Sequence, residues 1–260
     1  MPFITPDNGS LTVFNLFDTA TREDQKTLLD TMQGIIEGAN YPGWRSSTLH
    51  GGLDKPCAAN YIQWRSVDDL QDRYEGENFK HNTVPYFTEL TTSVHLLKTE
   101  VVATHLAPSL EHIEISPDRD DFTVIVIMGV EPANQAKLVD LFAKPDEWMH
   151  DVPGFRSNSI LRGLEGDFVV NYAQWDDREA YQAFHDLPEA DRPAETRAMR
   201  AAARPLLTSR SSNTYEVVFS RSAADQPAGR QGCLSLGAQP SMVITAGRKA
   251  FHCRSRTYVF

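Results

Sequence analysis

The chain has 260 residues with a formal net charge of −10, and 41% of the residues are hydrophobic. This length and composition are typical of a globular protein with one or two domains, and the negative charge argues against nucleic acid as a partner. No apolar run approaches the roughly 18 residues of a membrane span. The opening residues, MPFITPDNGS, lack the basic and apolar parts of a signal peptide, so we expect a cytoplasmic location and no membrane partner.

The first predicted elements are a strand over 10–18 and a helix over about 22–39. A Pro-Gly pair then forces a turn, and the residues after it are typical of a hairpin whose turn is Gly52-Leu53-Asp54. A helix with Ser66 as its N-cap is predicted next. The β-branched run HLLKTEVVAT predicts the last strand of this segment.

The same order of elements then occurs a second time. Residues 42–64 align without gaps to residues 153–175, at an offset of 111, and ten of the 23 positions are identical. The second copy therefore begins with the strand DFTVIVIMG and continues with a predicted helix over about 132–150. A Gly-rich hairpin turn, a helix with Asp177 as its N-cap and the strand NTYEVVFS complete it.

This order of strands and helices predicts a ferredoxin-like α+β fold, in which an antiparallel sheet carries helices on one face. The uncovered sheet face of each copy needs a partner, and the other copy can supply it. We therefore expect an intrachain pseudo-dimer with domain 1 over 1–108, a linker over 109–120 and domain 2 over 121–220. The basic tail over 221–260 lacks sustained periodicity and is expected to be irregular or disordered.

The cysteines and short motifs give little sign of other chemistry. Cys57, Cys233 and Cys253 form no CxxC or Cys/His ligand spacing, so neither a metal site nor a disulfide framework is predicted. The sequence also has no Gly-rich phosphate loop and no GxSxG nucleophile motif.

Each copy contains a strand with an asparagine and a tryptophan on one face. The period of two in VVNYAQW places Asn171 and Trp175 on one side and Tyr172 on the other. Asn60 and Trp64 occupy the matching positions in the first copy. A buried amide and a buried indole N–H both need hydrogen-bond partners. The strand pattern leaves open whether the partner is a ligand or the neighbouring backbone of an ordinary core.

The strings PGFRSNSI and VVNYAQWDDREAY resemble the antibiotic biosynthesis monooxygenase (ABM) family. The resemblance is strongest over about 153–200 and weaker over 42–75. The strings are especially similar to those of cofactor-free aromatic polyketide monooxygenases of the actinorhodin-pathway type. The resemblance implies a dimeric α+β barrel, formed here within one chain. It also implies an O2-dependent monooxygenase with a small aromatic polyketide as substrate and no cofactor. Whether two chains pair further as a homodimer stays open.

The resemblance also implies roles for individual residues. Asn171 and Trp175 match strand residues that line the family's substrate cavity, and Tyr181 matches its active-site tyrosine. Arg197 matches an arginine that contacts a substrate oxygen, although a solvated helix face is an equal alternative for it. These four are the predicted catalytic residues, and Phe184 is predicted to contact the substrate.

The first copy differs in its polar residues. It keeps the asparagine and the tryptophan but has Leu70 at the position of Tyr181, and it lacks a counterpart of Arg197. The second copy is therefore expected to carry the active pocket. The first copy is either degenerate and structural or has a different polar set. Its predicted substrate-binding residues are Asn60, Trp64, Tyr74 and His81.

Oxygenation without a cofactor requires a substrate that can itself reduce O2. The anion of an anthrone, naphthol or hydroquinone can pass one electron to O2, and recombination followed by loss of water gives a quinone. This chemistry needs a largely apolar, aromatic-lined cavity with a few fixed hydrogen-bond donors.

Two alternatives remain at this point. A haem-binding or haem-degrading monooxygenase is one, because Asn15 and His81 weakly resemble that branch of the superfamily, although it has a tryptophan where this chain has Arg73 and Tyr74. A non-catalytic polyketide-binding protein is the other, since a fold does not dictate a function.

Overall fold

The computed structural model describes residues 2–6 and 9–223. The first copy contains β1 (Phe3–Ile4), β2 (Leu11–Asp18), α1 (Arg22–Glu37), β3 (Trp44–Gly52), β4 (Cys57–Trp64), α2 (Val67–Glu75), α3 (Glu77–Asn82), α4 (Val84–Leu90) and β5 (Ser93–Leu106). The second contains β6 (Ile113–Glu114), β7 (Phe122–Val130), α5 (Gln135–Phe142), β8 (Phe155–Gly163), β9 (Phe168–Trp175), α6 (Arg178–Asp186), α7 (Ala194–Ala203) and β10 (Leu207–Ser222). Most of the predicted tail lies outside the described residues.

Eight strands close into one antiparallel barrel in the order β10-β3-β4-β2-β5-β8-β9-β7. Each copy supplies four neighbouring strands, and its long last strand, of 14 residues in β5 and 16 in β10, makes the join. The first half of β5 pairs with β2 of its own copy and the second half with β8. β10 divides in the same way between β7 and β3. The predicted α+β barrel is confirmed, and closure leaves neither four-stranded sheet with a free edge.

Strand periodicity divides the side chains between the barrel interior and the helix-covered outer faces. Tyr61 and Tyr172 are fully buried inside the barrel, where both rings contact Phe14. Trp64 and Trp175 lie on the opposite faces of the same strands and pack in the outer cores of their own copies. Each copy therefore has its own outer core, and the two copies share the interior, as expected of an intrachain pseudo-dimer.

The segment over 109–120, expected as a linker, contributes to the core. Its strand β6 pairs with β1, and the buried Ile115 packs into the barrel interior. Gln63 and Gln174, which are 111 residues apart, donate hydrogen bonds to backbone carbonyls of β1 and β6 at 2.9 and 2.8 Å. A packed two-stranded ribbon therefore joins the copies in place of a loose connection.

The prediction of a single helix over about 132–150 is wrong. Helix α5 covers only eight residues, and short 3-10 turns over Pro132–Asn134 and Glu147–Asp151 flank it. Pro145 accounts for the interruption, because proline lacks a backbone N–H and disfavours helical backbone in the residue before it. The matching helix of the first copy, α1, has no internal proline and continues for 16 residues.

Candidate functional site

The outer core of the second copy contains buried polar atoms that have no partner within the described part of the chain. Asn171 Oδ1 and Trp175 Nε1 lie on the same face of β9, and Asn158 Oδ1 lies on the neighbouring β8. Trp175 is only 3% exposed, so solvent does not reach its N–H. An unpaired buried polar group costs about 1–3 kcal/mol. This surface therefore favours a molecule that can hydrogen-bond to it.

Helix α6 places aromatic rings against Trp175. Its predicted N-cap is confirmed, because the Asp177 carboxylate accepts a hydrogen bond from a first-turn N–H at 2.8 Å. The ring centres of Tyr181 and Phe184 then lie 5.8 and 5.1 Å from that of Trp175. Burial raises the pKa of Tyr181, which therefore remains a neutral phenol at pH 7. The structure thus brings these three rings together, and Asn171 lies four residues before Trp175 on the same strand face.

The structure does not bring Arg197 to this cluster. Its side chain is exposed on α7 and donates a hydrogen bond to the carbonyl oxygen of Ala190 at 3.1 Å. Arg192 lies beside the cluster instead. This residue is 3% exposed, and its guanidinium carbon lies 4.8 Å from the ring centre of Phe184. Its Nη1 has no hydrogen-bond partner among the described residues. Its Nη2 donates hydrogen bonds to the carbonyl oxygens of Phe184 and Leu187, and its Nε lies 3.7 Å from Glu189 Oε2. Arg192, rather than Arg197, is therefore the arginine that contacts the aromatic cluster.

His185 is a second residue that the sequence did not single out. It follows Tyr181 by one helical turn, and the two ring centres are 4.4 Å apart. Burial lowers the pKa of His185, and the positive charges of Arg210 and Arg192 lower it further. Its imidazole is therefore neutral at pH 7 and can accept a proton. The i, i+4 spacing from Tyr181 was the sequence signal that could have identified it.

The first copy encloses a cavity of about 70 Å³ between its sheet and its helices. The polar side chains that line it include Asn15, Asn60, Trp64, Arg73 and Tyr74. The Oδ1 atoms of both asparagines, the indole N–H of Trp64 and the hydroxyl of Tyr74 are buried and have no hydrogen-bond partner among the described residues. Three of the predicted substrate-binding residues, Asn60, Trp64 and Tyr74, are therefore neighbours.

His81, also predicted to bind substrate, does not line this cavity. Its side chain is 73% exposed on α3, where its Nε2 lies 3.0 Å from a carboxylate oxygen of Glu77. The phase of this short helix directs Phe79 to the cavity instead. With His81 in solvent and a cavity far smaller than a tetrapyrrole, the residues present do not fit haem.

A larger surface groove, of about 440 Å³, lies beside β8 and contains none of the predicted site residues. Its two arginines, Arg119 and Arg156, both form ion pairs with the buried Asp121. Arg156 is also paired with Asp176, which lines the groove as well. Both arginines are already paired with carboxylates, so this groove has fewer unpaired polar groups available to bind a ligand than the outer cores have.

Residues 2–6 and 9–223 contain no group of three His, Cys, Asp or Glu side chains placed to hold a metal ion. Cys57 is a free thiol buried in the barrel interior, and the other two cysteines lie outside the described residues. No helix in the same part of the chain is long and apolar enough to cross a bilayer.

Comparison with known proteins places this architecture in a family. The profile of the antibiotic biosynthesis monooxygenase family matches residues 121–195, which fall in the second copy. Tetracenomycin-F1 monooxygenase of Streptomyces glaucescens is 37% identical over 75 residues, which are 28% of this chain and 67% of that protein. A solved anthrone oxidase-like protein is 40% identical with a TM-score of 0.81, and the match covers 90% of this chain and all of that one.

These similarities show that the chain belongs to the antibiotic biosynthesis monooxygenase family. The resemblance inferred from PGFRSNSI and VVNYAQWDDREAY is confirmed. The match to the anthrone oxidase-like structure extends over both copies, whereas the family profile is limited to the second.

Proposed function

We propose that this chain is an O2-dependent monooxygenase that oxidises an electron-rich aromatic polyketide without a metal, flavin or haem. Its substrate is an anthrone, naphthol or hydroquinone, and the second copy carries the reaction. One observation supports this most directly: Trp175, whose buried N–H has no partner among the described residues, packs against the rings of Tyr181 and Phe184, and the unpartnered Asn171 Oδ1 lies on the same face of β9. The similarity to tetracenomycin-F1 monooxygenase and to an anthrone oxidase-like protein supports the substrate class.

The reaction begins when the substrate loses a proton. We assign His185, which packs against Tyr181, as the base, since its lowered pKa leaves the imidazole unprotonated at pH 7. The resulting anion is stabilised by the charge of Arg192 and by the phenol of Tyr181, which donates a hydrogen bond. Fixed donors and a fixed charge favour the anion without the reorganisation that water would need.

The anion then gives one electron to O2. Superoxide and the substrate radical combine to a peroxide, which takes up the proton and loses water to leave a quinone. One oxygen atom enters the product and the other leaves as water, so the substrate supplies all the electrons. The Trp175 N–H donates a hydrogen bond to a peroxide oxygen, the Asn171 Oδ1 accepts one from the O–H of the protonated peroxide, and the surrounding rings exclude bulk water.

Oxygen uptake tests the proposal directly. Chelator-treated protein mixed with 1,8-dihydroxyanthrone is expected to consume one O2 per anthrone while the quinone absorbance rises. The rate is compared with that of the anthrone in buffer alone, which corrects for spontaneous oxidation. Saturable binding without uptake above the protein-free rate would instead identify a polyketide-binding protein.

The two arginines can be separated in the same assay. Arg192→Met is expected to raise KM by about tenfold or more, because a hydrogen bond to a charged group contributes about 1.5–3 kcal/mol. Arg197→Met, the same change five residues later on an exposed helix face, is expected to alter KM by less than about twofold. Thermal melting of both variants checks that the fold is intact. A larger effect for Arg197→Met would restore the assignment made from the sequence.

A further inference from the structure

Polar atoms without protein partners surround the cavity of the first copy. They are the Oδ1 atoms of Asn15 and Asn60, the Nε1 of Trp64 and the hydroxyl of Tyr74. Asn60 and Trp64 are only 6% and 3% exposed, so bulk water does not solvate them. Each unpaired buried group costs about 1–3 kcal/mol. Four such atoms around one cavity therefore indicate a bound molecule.

The tyrosine of the first-copy cavity, Tyr74, lies one helical turn further along its helix than Tyr181 does in the second copy. The offset of 111 aligns Leu70 with Tyr181 and Tyr74 with His185. Positions 70 and 74 are four residues apart, so they lie on the same helix face. Leucine at the first position and tyrosine at the second move the hydroxyl along that face without removing it from the cavity. The first copy is therefore not a degenerate form of the second but has a polar set of its own.

Arg73, at the position of Phe184 in the second copy, adds a positive charge to the cavity lining. Its guanidinium carbon lies 4.0 Å from the ring centre of Tyr41 and 4.6 Å from that of Phe79. Burial lowers the pKa of Arg73, and the ionisable groups that act on it are the phenols of Tyr41 and Tyr74 rather than carboxylates. An arginine nevertheless stays charged in a protein. A partly buried cation in this setting favours an anionic oxygen as its partner.

We propose that this cavity is a second ligand site that binds a single-ring phenol as its phenolate. Arg73, Tyr74 and the Trp64 N–H hold the phenolate oxygen, and the aromatic walls contact the ring. The amide oxygens of Asn15 and Asn60 accept a hydrogen bond from a second ring hydroxyl where the ligand has one. The site is independent of the oxidation proposed for the second copy.

The small size of the cavity favours a ligand with one ring over a larger one. Its volume of about 70 Å³ is less than half of the roughly 150 Å³ that holds a benzene molecule in an engineered cavity. A wall must therefore move slightly to admit one ring, and a three-ring polyketide would need a far larger displacement. Helix α4 is the wall with the least packing to lose, because it supplies Phe87 to the lining but has no fully buried residue.

The four tryptophans make the two sites separately visible. Trp44 and Trp64 line the first-copy cavity, while Trp148 and Trp175 lie in the outer core of the second copy. In a Trp148→Phe/Trp175→Phe variant, only the first-copy pair remains to fluoresce. Titration of this variant with 4-nitrophenol is expected to quench the fluorescence saturably at one site. The pKa of the bound nitrophenol, read from its absorbance, is expected to fall by about one unit or more below that of the free compound.

Substitutions in the same background test which residues bind. Arg73→Met is expected to weaken binding at least tenfold and to abolish the nitrophenol pKa shift. Tyr74→Phe removes one oxygen atom and is expected to weaken binding several-fold, which keeps the test open if Arg73→Met fails to fold. Arg178→Met, a charge removal on the exposed side of α6, serves as the matched control and is expected to leave both readouts unchanged.

Three results would overturn the proposal. No saturable quenching would mean that the cavity holds only water, and unchanged binding by both Arg73→Met and Tyr74→Phe would exclude the proposed contacts. Equally tight first-copy binding of three-ring 1,8-dihydroxyanthraquinone would contradict the size preference. Because 4-nitrophenol does not donate electrons to O2, these outcomes are independent of whether the second copy oxidises anthrones.

Discussion

Asn171→Leu is expected to lower kcat/KM for anthrone oxidation by about tenfold, because the Asn171 Oδ1 no longer accepts a hydrogen bond from the protonated peroxide and such a bond contributes up to about 1.5 kcal/mol. Leucine has a similar shape, and the Asn171 Oδ1 has no hydrogen-bond partner among the described residues. The substitution therefore costs the fold little and affects mainly the bound peroxide. Oxygen uptake with 1,8-dihydroxyanthrone gives the rate, and a thermal melt gives the stability of the same sample.

A matched substitution on α6 provides the control. Gln182 is exposed, and its amide donates a hydrogen bond to Asp186 at 2.9 Å, so Gln182→Leu is expected to change the rate by less than about twofold. A normal rate for Asn171→Leu would remove the basis of the proposed site. Asn60→Leu at the matching position shows which copy reacts: a large loss there, with none for Asn171→Leu, would move the oxidation to the first copy.

The strand-borne part of the site could be predicted from the sequence because a strand has a period of two in any environment. Asn171 and Trp175 had to share a face once VVNYAQW formed a strand, and the structure has them there. Local chemistry also predicted the N-caps, since the side chains of Ser66 and Asp177 accept hydrogen bonds from the first turns that follow them. The duplication predicted the paired sheets, because each copy alone would leave one sheet face uncovered.

The part of the candidate site that lies on helices could not be predicted, because it depends on how the helices pack and on the turns between them. A 3-10 turn over Glu189–Asp191 lies between α6 and α7 and determines which arginine meets Phe184. Residues 194–203 form a regular helix, yet nothing in their spacing tells which face packs inward, and Arg197 faces solvent. His81 lies in the six-residue α3, which is too short to show a periodicity.

The join between the copies was also hidden from sequence reasoning. Strand β10 starts at Leu207, six residues before the predicted run NTYEVVFS. Its first part, over 207–212, is polar and largely exposed, so it has no alternating pattern, but it pairs with β7. Strand pairing needs only backbone N–H and C=O groups. When both faces of a strand are exposed to solvent, its side chains show no alternating pattern from which the strand could be predicted.

Fusion of two copies in one chain freed their sites to diverge. In a symmetric dimer every substitution appears in both sites at once, whereas here the phenol lies at Tyr181 in one copy and at Tyr74 in the other. The shared barrel interior changes less, since Tyr61 and Tyr172 match at the offset of 111 and both are fully buried. The interior maintains the scaffold, while the two outer cores are free to bind different molecules.

That shared interior contains one ionisable group whose burial makes stability depend on pH. His50 on β3 is fully buried, and its Nε2 lies 2.9 Å from the hydroxyl of Tyr172 in the other copy. Burial lowers the pKa of His50 to about 4, against about 6.5 for an unfolded histidine. Between these values the unfolded chain binds a proton that the native protein does not, so stability is complete above pH 6.5 and is lost as the pH falls.

The expected loss of unfolding free energy attributable to His50 is about 2 kcal/mol between pH 7 and pH 5, and about 3 kcal/mol by pH 4. Urea unfolding of the parent and of His50→Gln isolates this contribution, because His185 and the carboxylates titrate alike in both proteins. Glutamine keeps a polar partner for Tyr172 but does not titrate, so the stability difference between the two proteins should shrink as the solution becomes acidic. A difference that stays constant from pH 7 to pH 4 would show that His50 is protonated as readily in the native barrel as in the unfolded chain.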